Sequence, residues 1–199
     1  MRVAWVMLIA GSGCGFVAQP IRDDGPNEDG SAAFDYASCP ATYHADLPGP
    51  SRYRFIPAGQ PAWVQIDACA ADMPGATHLV VLESQPEIAS VAALVAAPPI
   101  PITGNAVWIG GVQQRNATVP AGGWLRFDGE ALTLGWSSGE PNDRGMTEDR
   151  QEQFVKLENN RTYLVDAQGS DNYSALCECD GKPTAQAASD AIRDNRPTR

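Results

Sequence analysis

Gly135-Trp136-Ser137-Ser138-Gly139-Glu140-Pro141-Asn142-Asp143 is the stretch on which the reading of this chain turns. Glu140 and Asn142 are hard oxygen donors placed either side of a proline. Calcium prefers such oxygens and takes six to eight of them at about 2.3–2.6 Å. Pro141 fixes a turn, and an X-Pro bond adopts cis at low cost. Glu152 follows ten residues after Asn142 and heads the strand-like run Gln153-Phe154-Val155-Lys156-Leu157. Asp166 and the closing Leu176-Cys177-Glu178-Cys179 come later. From Gly135 to Gln151 no hydrophobic period is visible, only Gly, Pro, Asn and charge. Long loops of this kind in compact domains are functional or disordered.

Working outward, the flanking segments read as regular elements. Arg52-Tyr53-Arg54-Phe55 alternates like a half-buried strand. Pro61 opens a helix, where its missing N–H is harmless. Trp63, Ile66, Cys69 and Ala70 share one face of that helix. Thr77 to Leu82 reads as a short apolar strand. Ser84-Gln85-Pro86-Glu87 reads as a capping box, followed by Ile88, Val91, Ala92 and Val95 at helical spacing. Pro98-Pro99 stops that helix. Strands are expected at Val107–Gly111, Trp124–Phe127, Phe154–Leu157 and Tyr173–Cys177, with Asp128-Gly129 as a turn. Two helices followed by strands and one long loop give an α+β domain.

Composition limits the function classes. The chain has 199 residues, 43% of them apolar, with five Trp. That supplies a packed core. The net charge of −10 argues against a nucleic-acid partner, which needs a basic stripe. Only two His are present, His44 and His78, and both are expected to be structural or solvent-facing. Gly135-Trp136-Ser137-Ser138-Gly139 spells G-x-S-x-G, but it opens the non-periodic stretch rather than joining a strand to a helix. No H-E-x-x-H motif occurs, and no phosphate-cradling glycine loop. Glu140 and Glu152 could form a glycosidase acid–base pair only if one were protonated. Carboxylates that hold a cation are ionised, so an enzyme is not expected. Trp108, Trp124 and Trp136 are expected in the core, and the Asn116-Ala117-Thr118 sequon in a loop.

The first residues read as an export signal, residues 1–13. Arg2 is a short basic region and Val3 to Ala10 an apolar run too short to span a bilayer. Leu8-Ile9-Ala10-Gly11-Ser12-Gly13-Cys14 resembles a bacterial lipobox with Cys14 as the lipidated residue, although Gly11 stands where an aliphatic residue is usual. The resemblance implies a lipid-anchored protein at a bacterial cell envelope, with membrane contact only through that anchor. Cleavage elsewhere would give simple secretion. Residues 14–37, rich in Gly, Pro and acid, read as a flexible linker, and residues 182–199 as a disordered polar tail. Five Cys is an odd number for an exported chain. Assigning Cys14 to lipid leaves Cys39, Cys69, Cys177 and Cys179, which allow three pairings. The pairing that includes Cys177 to Cys179 strains disulfide geometry.

The order W-x-x-G-E-P-N, then Glu before a short strand, then Asp, then L-C-E resembles the C-type lectin domain. Further landmarks are Cys39-Pro40, the Trp63 helix with Cys69, His78-Leu79-Val80, Trp108-Ile109-Gly110, Trp124 with Asp128-Gly129, and Trp136. The resemblance covers residues 38–181 and implies that fold: two helices with small antiparallel sheets and a long ligand-binding loop. It implies the disulfides Cys69–Cys177 and Cys39–Cys179. It implies Ca²⁺ held by Glu140, Asn142, Glu152 and Asp166, the last eleven residues before Cys177, with a cis Pro141. Glu140, Asn142 and Glu152 would also bind the sugar, a mannose-type hexose, in a glycan or glycoprotein partner. Glu148-Asp149 is an alternative alignment to Glu152, which is preferred for the strand that follows it. Val165 stands where the family has Asn and removes a donor. About five protein oxygens remain, and two sugar hydroxyls bring the set to about seven. Phe154 and Gly169 occupy the positions of a second family disulfide, so the loop lacks that staple and calcium is expected to matter for its order. The competing expectation is a calcium-independent domain that binds protein.

Overall fold

The computed structural model describes residues 33–96, 102–145, 147–158 and 161–197. The expected signal, Cys14, most of the linker and Pro98-Pro99 lie outside them. Seven strands appear among the described residues: β1 (Arg52–Gln60), β2 (Thr77–Leu79), β3 (Ala106–Gln113), β4 (Trp124–Arg126), β5 (Phe154–Glu158), β6 (Leu164–Ala167) and β7 (Tyr173–Cys179). Three α-helices accompany them: α1 (Ala62–Asp72), α2 (Gln85–Ala96) and α3 (Gln186–Asp194).

The strands form one mixed sheet of order β1-β7-β3-β5-β6, not separate antiparallel sheets. β7 is the branch point. One of its edges carries β1, from Arg52↔Cys179 to Gln60↔Tyr173. Its other edge is shared, with β2 on residues 177–179 and β3 on residues 174–175. The β3–β7 pair is parallel and the other pairs are antiparallel. β2 and β3 meet at Gly110, whose N–H donates to Val80 O at 2.8 Å. A Cβ there would lie 2.8 Å from Leu79 O, so only glycine lets the two backbones approach.

β3 is buried on both faces, and its alternate residues enter two cores. Trp108 and Val112 join Ile66, Cys69, Phe127 and Phe154 on the face covered by α1 and α3. Val107 and Ile109 join Ile88, Val91, Val95, Leu157, Leu164 and Leu176 under α2. The α2 residues are those of the sequence pattern, and its entry is capped much as expected: Glu87 N–H donates to Ser84 Oγ at 3.3 Å, while the Glu87 carboxylate accepts from Glu83 N–H and faces Ser84 N–H as well. α1 turns Ala62, Gln65, Ile66 and Cys69 inward and leaves Trp63 half-buried. Gln65 is tolerated there because its amide donates to Ala58 O and Tyr173 O, at 2.7 and 3.0 Å. Cys69–Cys177 and Cys39–Cys179 are the two disulfides, as the resemblance implied. They tie α1 and the segment before β1 to neighbouring residues of β7.

Both ends of the domain reach further than expected. Phe34, inside the expected linker, packs against Gly181 and the Trp108 core, and Asp35 caps a 3₁₀ turn at Tyr36–Ser38. Residues 182–197 are not a disordered tail, because they contain α3. Ala188, Ala191 and Ile192, at i, i+3 and i+4, are buried in the Trp108 core. Two alanines and one isoleucine suffice to seat the helix on the core, and the polar composition around them hid the pattern. Among the described residues no helix is long and apolar enough to cross a membrane.

Candidate functional site

The described residues from Phe127 to Gln153 form no helix or strand and are ordered by side chains instead. Trp124 and Trp136 meet edge-on at 5.0 Å between ring centroids and close its base. Trp124 is buried, as is Trp108, whereas Trp136 is half-buried. Leu164 N–H donates to Gly135 O at 2.5 Å and Ser137 N–H donates to Leu164 O at 2.9 Å. These bonds fasten the loop to β6. β6 was not foreseen from sequence, and it carries Asp166.

Asp166 is 1% exposed. Its Oδ2 accepts from the Asn142 and Asp143 N–H groups at 3.0 and 2.8 Å. It thereby fixes the peptide just after the cis Glu140–Pro141 bond. Its Oδ1 is buried with no hydrogen-bond partner. A buried carboxylate oxygen left unpaired is costly, and a positive group beside it would offset that cost.

Glu140 and Glu152 stand beside Asp166. Burial and the adjoining carboxylates of Asp166 and Glu152 push the Glu140 carboxyl up to about 7, against the pull of Asn142. Burial and the Asp166 charge also raise Glu152, against the pull of Arg144. Burial first, and then mutual repulsion among the carboxylates, is what such shifts record. Two neighbours offset part of it. Asn142 Nδ2 donates to Glu140 Oε2, and the half-exposed Arg144 donates to Glu152 from its N–H at 2.8 Å and its Nε at 3.3 Å. The four residues expected to hold calcium therefore lie together. Yet among the described residues no three His, Cys, Asp or Glu side chains form a ready cage. Several of the oxygens are engaged by Asn142 and Arg144 instead. Glu148, from the alternative alignment, faces elsewhere and accepts from Gln113 Nε2 at 2.9 Å.

Asp143 is the residue that sequence reasoning undervalued. It is 1% exposed and sits at a φ of 46°. Its Oδ2 accepts from the N–H groups of Asp149 and Arg150 at 2.5 and 2.7 Å. Its Oδ1 accepts from those of Gln151 and Glu152 at 2.7 and 2.8 Å. Burial opposes its charge, but these four donors together hold its carboxyl below the usual range. The loop was expected to lack a staple, and Asp143 is that staple. The missing second disulfide has a separate explanation. A Cβ on Gly169 would lie 2.6 Å from the Phe154 ring, so an aromatic fills the space a bridge would need. Both His lie outside the site: His44 is exposed, and His78 is buried against Asp180. Two clefts of about 410 and 510 Å³ also lie elsewhere, beside Ile66, Pro183 and Ile192 and beside Tyr53, Glu83 and Glu87.

No protein-family model matches the chain, and no curated protein matches it in sequence. Solved structures do. The C-type lectin CEL-I from Cucumaria echinata superposes with a TM-score of 0.57 at 18% identity, covering 71% of this chain and 96% of that one. The chain has the C-type lectin-like fold. A second neighbour is the cow CD23 C-type carbohydrate-recognition domain, whose structure was determined in the presence of a GlcNAc2Man3 oligosaccharide. It gives a TM-score of 0.52 at 21% identity, covering 71% of this chain and 95% of that one. A third is a calcium-independent type II antifreeze protein, with a TM-score of 0.53 at 18% identity over 74% of this chain and 95% of that one. At such identities the C-type lectin-like fold is shared, while the ligand is a separate matter.

Proposed function

We propose that this chain is an exported, non-catalytic, calcium-dependent carbohydrate-binding protein for mannose-type hexoses. Glu140, Asn142, Glu152 and Asp166 would hold the ion, with the Asp166 carbonyl as a further donor. The observation that carries this reading is the buried, unpartnered Asp166 Oδ1 beside the crowded carboxylates of Glu140 and Glu152. A divalent cation would relieve both. When bound, it offers coordination places to two vicinal sugar hydroxyls. The Glu140 carboxylate would accept a hydrogen bond from one hydroxyl, and the Asn142 amide would donate to another. The Val165 side chain contributes no oxygen, so the sugar hydroxyls would be needed to complete the shell. The two disulfides suit an oxidising compartment. Lipid attachment at Cys14 remains part of the proposal, checked by the mass of the mature N-terminus in a bacterial host.

The second reading, calcium-independent binding of protein, is favoured by one observation. Arg144 and Asn142 already engage Glu152 and Glu140. Thermal unfolding of the chain with Ca²⁺ and with EDTA decides between the two, beside a Glu140→Ala, Asn142→Ala double variant. A metal that binds only the folded state raises the midpoint by mass action. A calcium-dependent rise that vanishes in the variant supports the first reading and leads to a glycan screen. No rise at millimolar Ca²⁺ refutes it and leaves the second.

A further inference from the structure

The end of α3 lies against the far arm of the ligand loop. Asn195, the residue that closes α3, faces two ways. Its Nδ2 donates to Gln113 O at 2.6 Å, at the end of β3. Its Oδ1 accepts from Arg150 Nη2 at 2.6 Å. Arg150 Nη1 reaches Arg115 O, so the guanidinium fork spans the helix end and the β3–β4 connection. Arg115 Nη1 in turn donates to Asp194 O at 3.4 Å. Two cations thus meet the carboxyl end of a helix, where the dipole and the unpaired carbonyls favour them. Gln113, also buried, adds a link from β3 to Glu148 in the same arm.

Arg150 is in the left-handed region, φ 67°, and its own N–H is one of the four that the Asp143 carboxylate accepts. A residue in that conformation persists when its surroundings over-determine it. Here the side chain is held by α3 and the backbone by Asp143. Glu152 is two residues further on. The helix itself is anchored independently of the loop. Ala185 N–H donates to Phe127 O at 2.7 Å, and Arg196 Nη1 pairs with Asp67 of α1 at 2.9 Å.

We propose that α3 is part of the binding unit, with Asn195 and Arg150 as positioning residues that hold the 147–152 arm in the conformation that presents Glu152. The consequence for calcium rests on the function proposed above, whereas the consequence for loop order does not.

Amide hydrogen exchange at residues 149–152 tests this, with the urea midpoint and a calcium titration of the same samples. Arg150→Ala and Asn195→Leu should speed exchange there about tenfold, the change expected when a charge-assisted hydrogen bond is lost. Calcium should bind more weakly in both. Asn195→Asp separates positioning from simple stability. It keeps an acceptor for Arg150 but loses the donor to Gln113 O and adds a negative charge at the helix end. Its urea midpoint should fall while the 149–152 amides stay protected. Wild-type exchange rates in Arg150→Ala and Asn195→Leu would overturn the proposal. So would loosening in Asn195→Asp equal to that in Asn195→Leu. If the wild type takes up no Ca²⁺, the calcium reading fails, and the exchange comparison still decides the role of α3.

Discussion

Replacing Asp143 should release one arm of the ligand loop while leaving the cores intact. Its carboxylate accepts four consecutive backbone N–H bonds, at 2.5 to 2.8 Å. The four bonds share one carboxylate, so each is set at about 1 kcal/mol rather than the higher value of a single charge-assisted bond. Asp143→Asn keeps the size and tolerates the positive φ. Its one amide oxygen can serve two donors, and its NH₂ then faces the other two. The arm therefore loses about 2 kcal/mol, which speeds local opening about thirtyfold. Asp143→Ala loses all four bonds, about 4 kcal/mol and about a thousandfold, until another mode of opening takes over. Amide exchange at residues 149–152 reads this directly. The urea midpoint should move far less, because none of these bonds joins the two cores. Wild-type exchange in Asp143→Ala would refute the reasoning, and so would a midpoint loss matching the full local change.

Arg144→Gln should tighten calcium binding, because the Arg144 guanidinium competes for Glu152. Its side chain is 49% exposed and the Nε–Oε1 distance is 3.3 Å, so the pair is weak and the gain should be about fivefold or less by calorimetry. Weaker binding in that variant would instead make Arg144 a support for the site. His78 should give a pH dependence to stability. Its Nδ1 faces Leu79 O at 2.8 Å and its Nε2 faces Asp180 Oδ1 at 3.0 Å, so both bonds need the imidazolium. Burial works against that charge, but Asp180 and the nearby Glu178 raise the His78 pKa above its ordinary 6.5. Burial likewise opposes the Asp180 charge, and His78 and Lys182 hold its pKa down. The His78 contribution is complete below about pH 6.5 and fades as pH rises through the higher native value. The Asp180 contribution fades in acid, as pH falls below the ordinary carboxylate range. The midpoint difference between wild type and His78→Gln should therefore be largest in mild acid and shrink above neutrality. A difference that grows with pH would refute the assignment.

What was legible in the sequence was whatever local chemistry writes into it. The period of α2, the cap at Ser84 and Glu87, and the runs that became β3, β5 and β7 follow from patterns within a few residues of one another. The Glu140-Pro141-Asn142 turn and the spacing to Glu152, Asp166 and Cys177 carried the resemblance, and it was the resemblance that implied the fold and both disulfides. The rest depended on partners far apart in the chain. β6 has four residues and no clear alternation, so only pairing with β5 defines it. α3 shows only two alanines and one isoleucine on its buried face, and their burial depends on a core surface that the rest of the chain builds. Asp143 had no role legible in the sequence, because nothing local shows that its carboxylate faces four N–H groups six to nine residues later. The same is true of the unpaired Asp166 Oδ1. A missing partner is a property of the space around an atom, and only the folded chain creates that space.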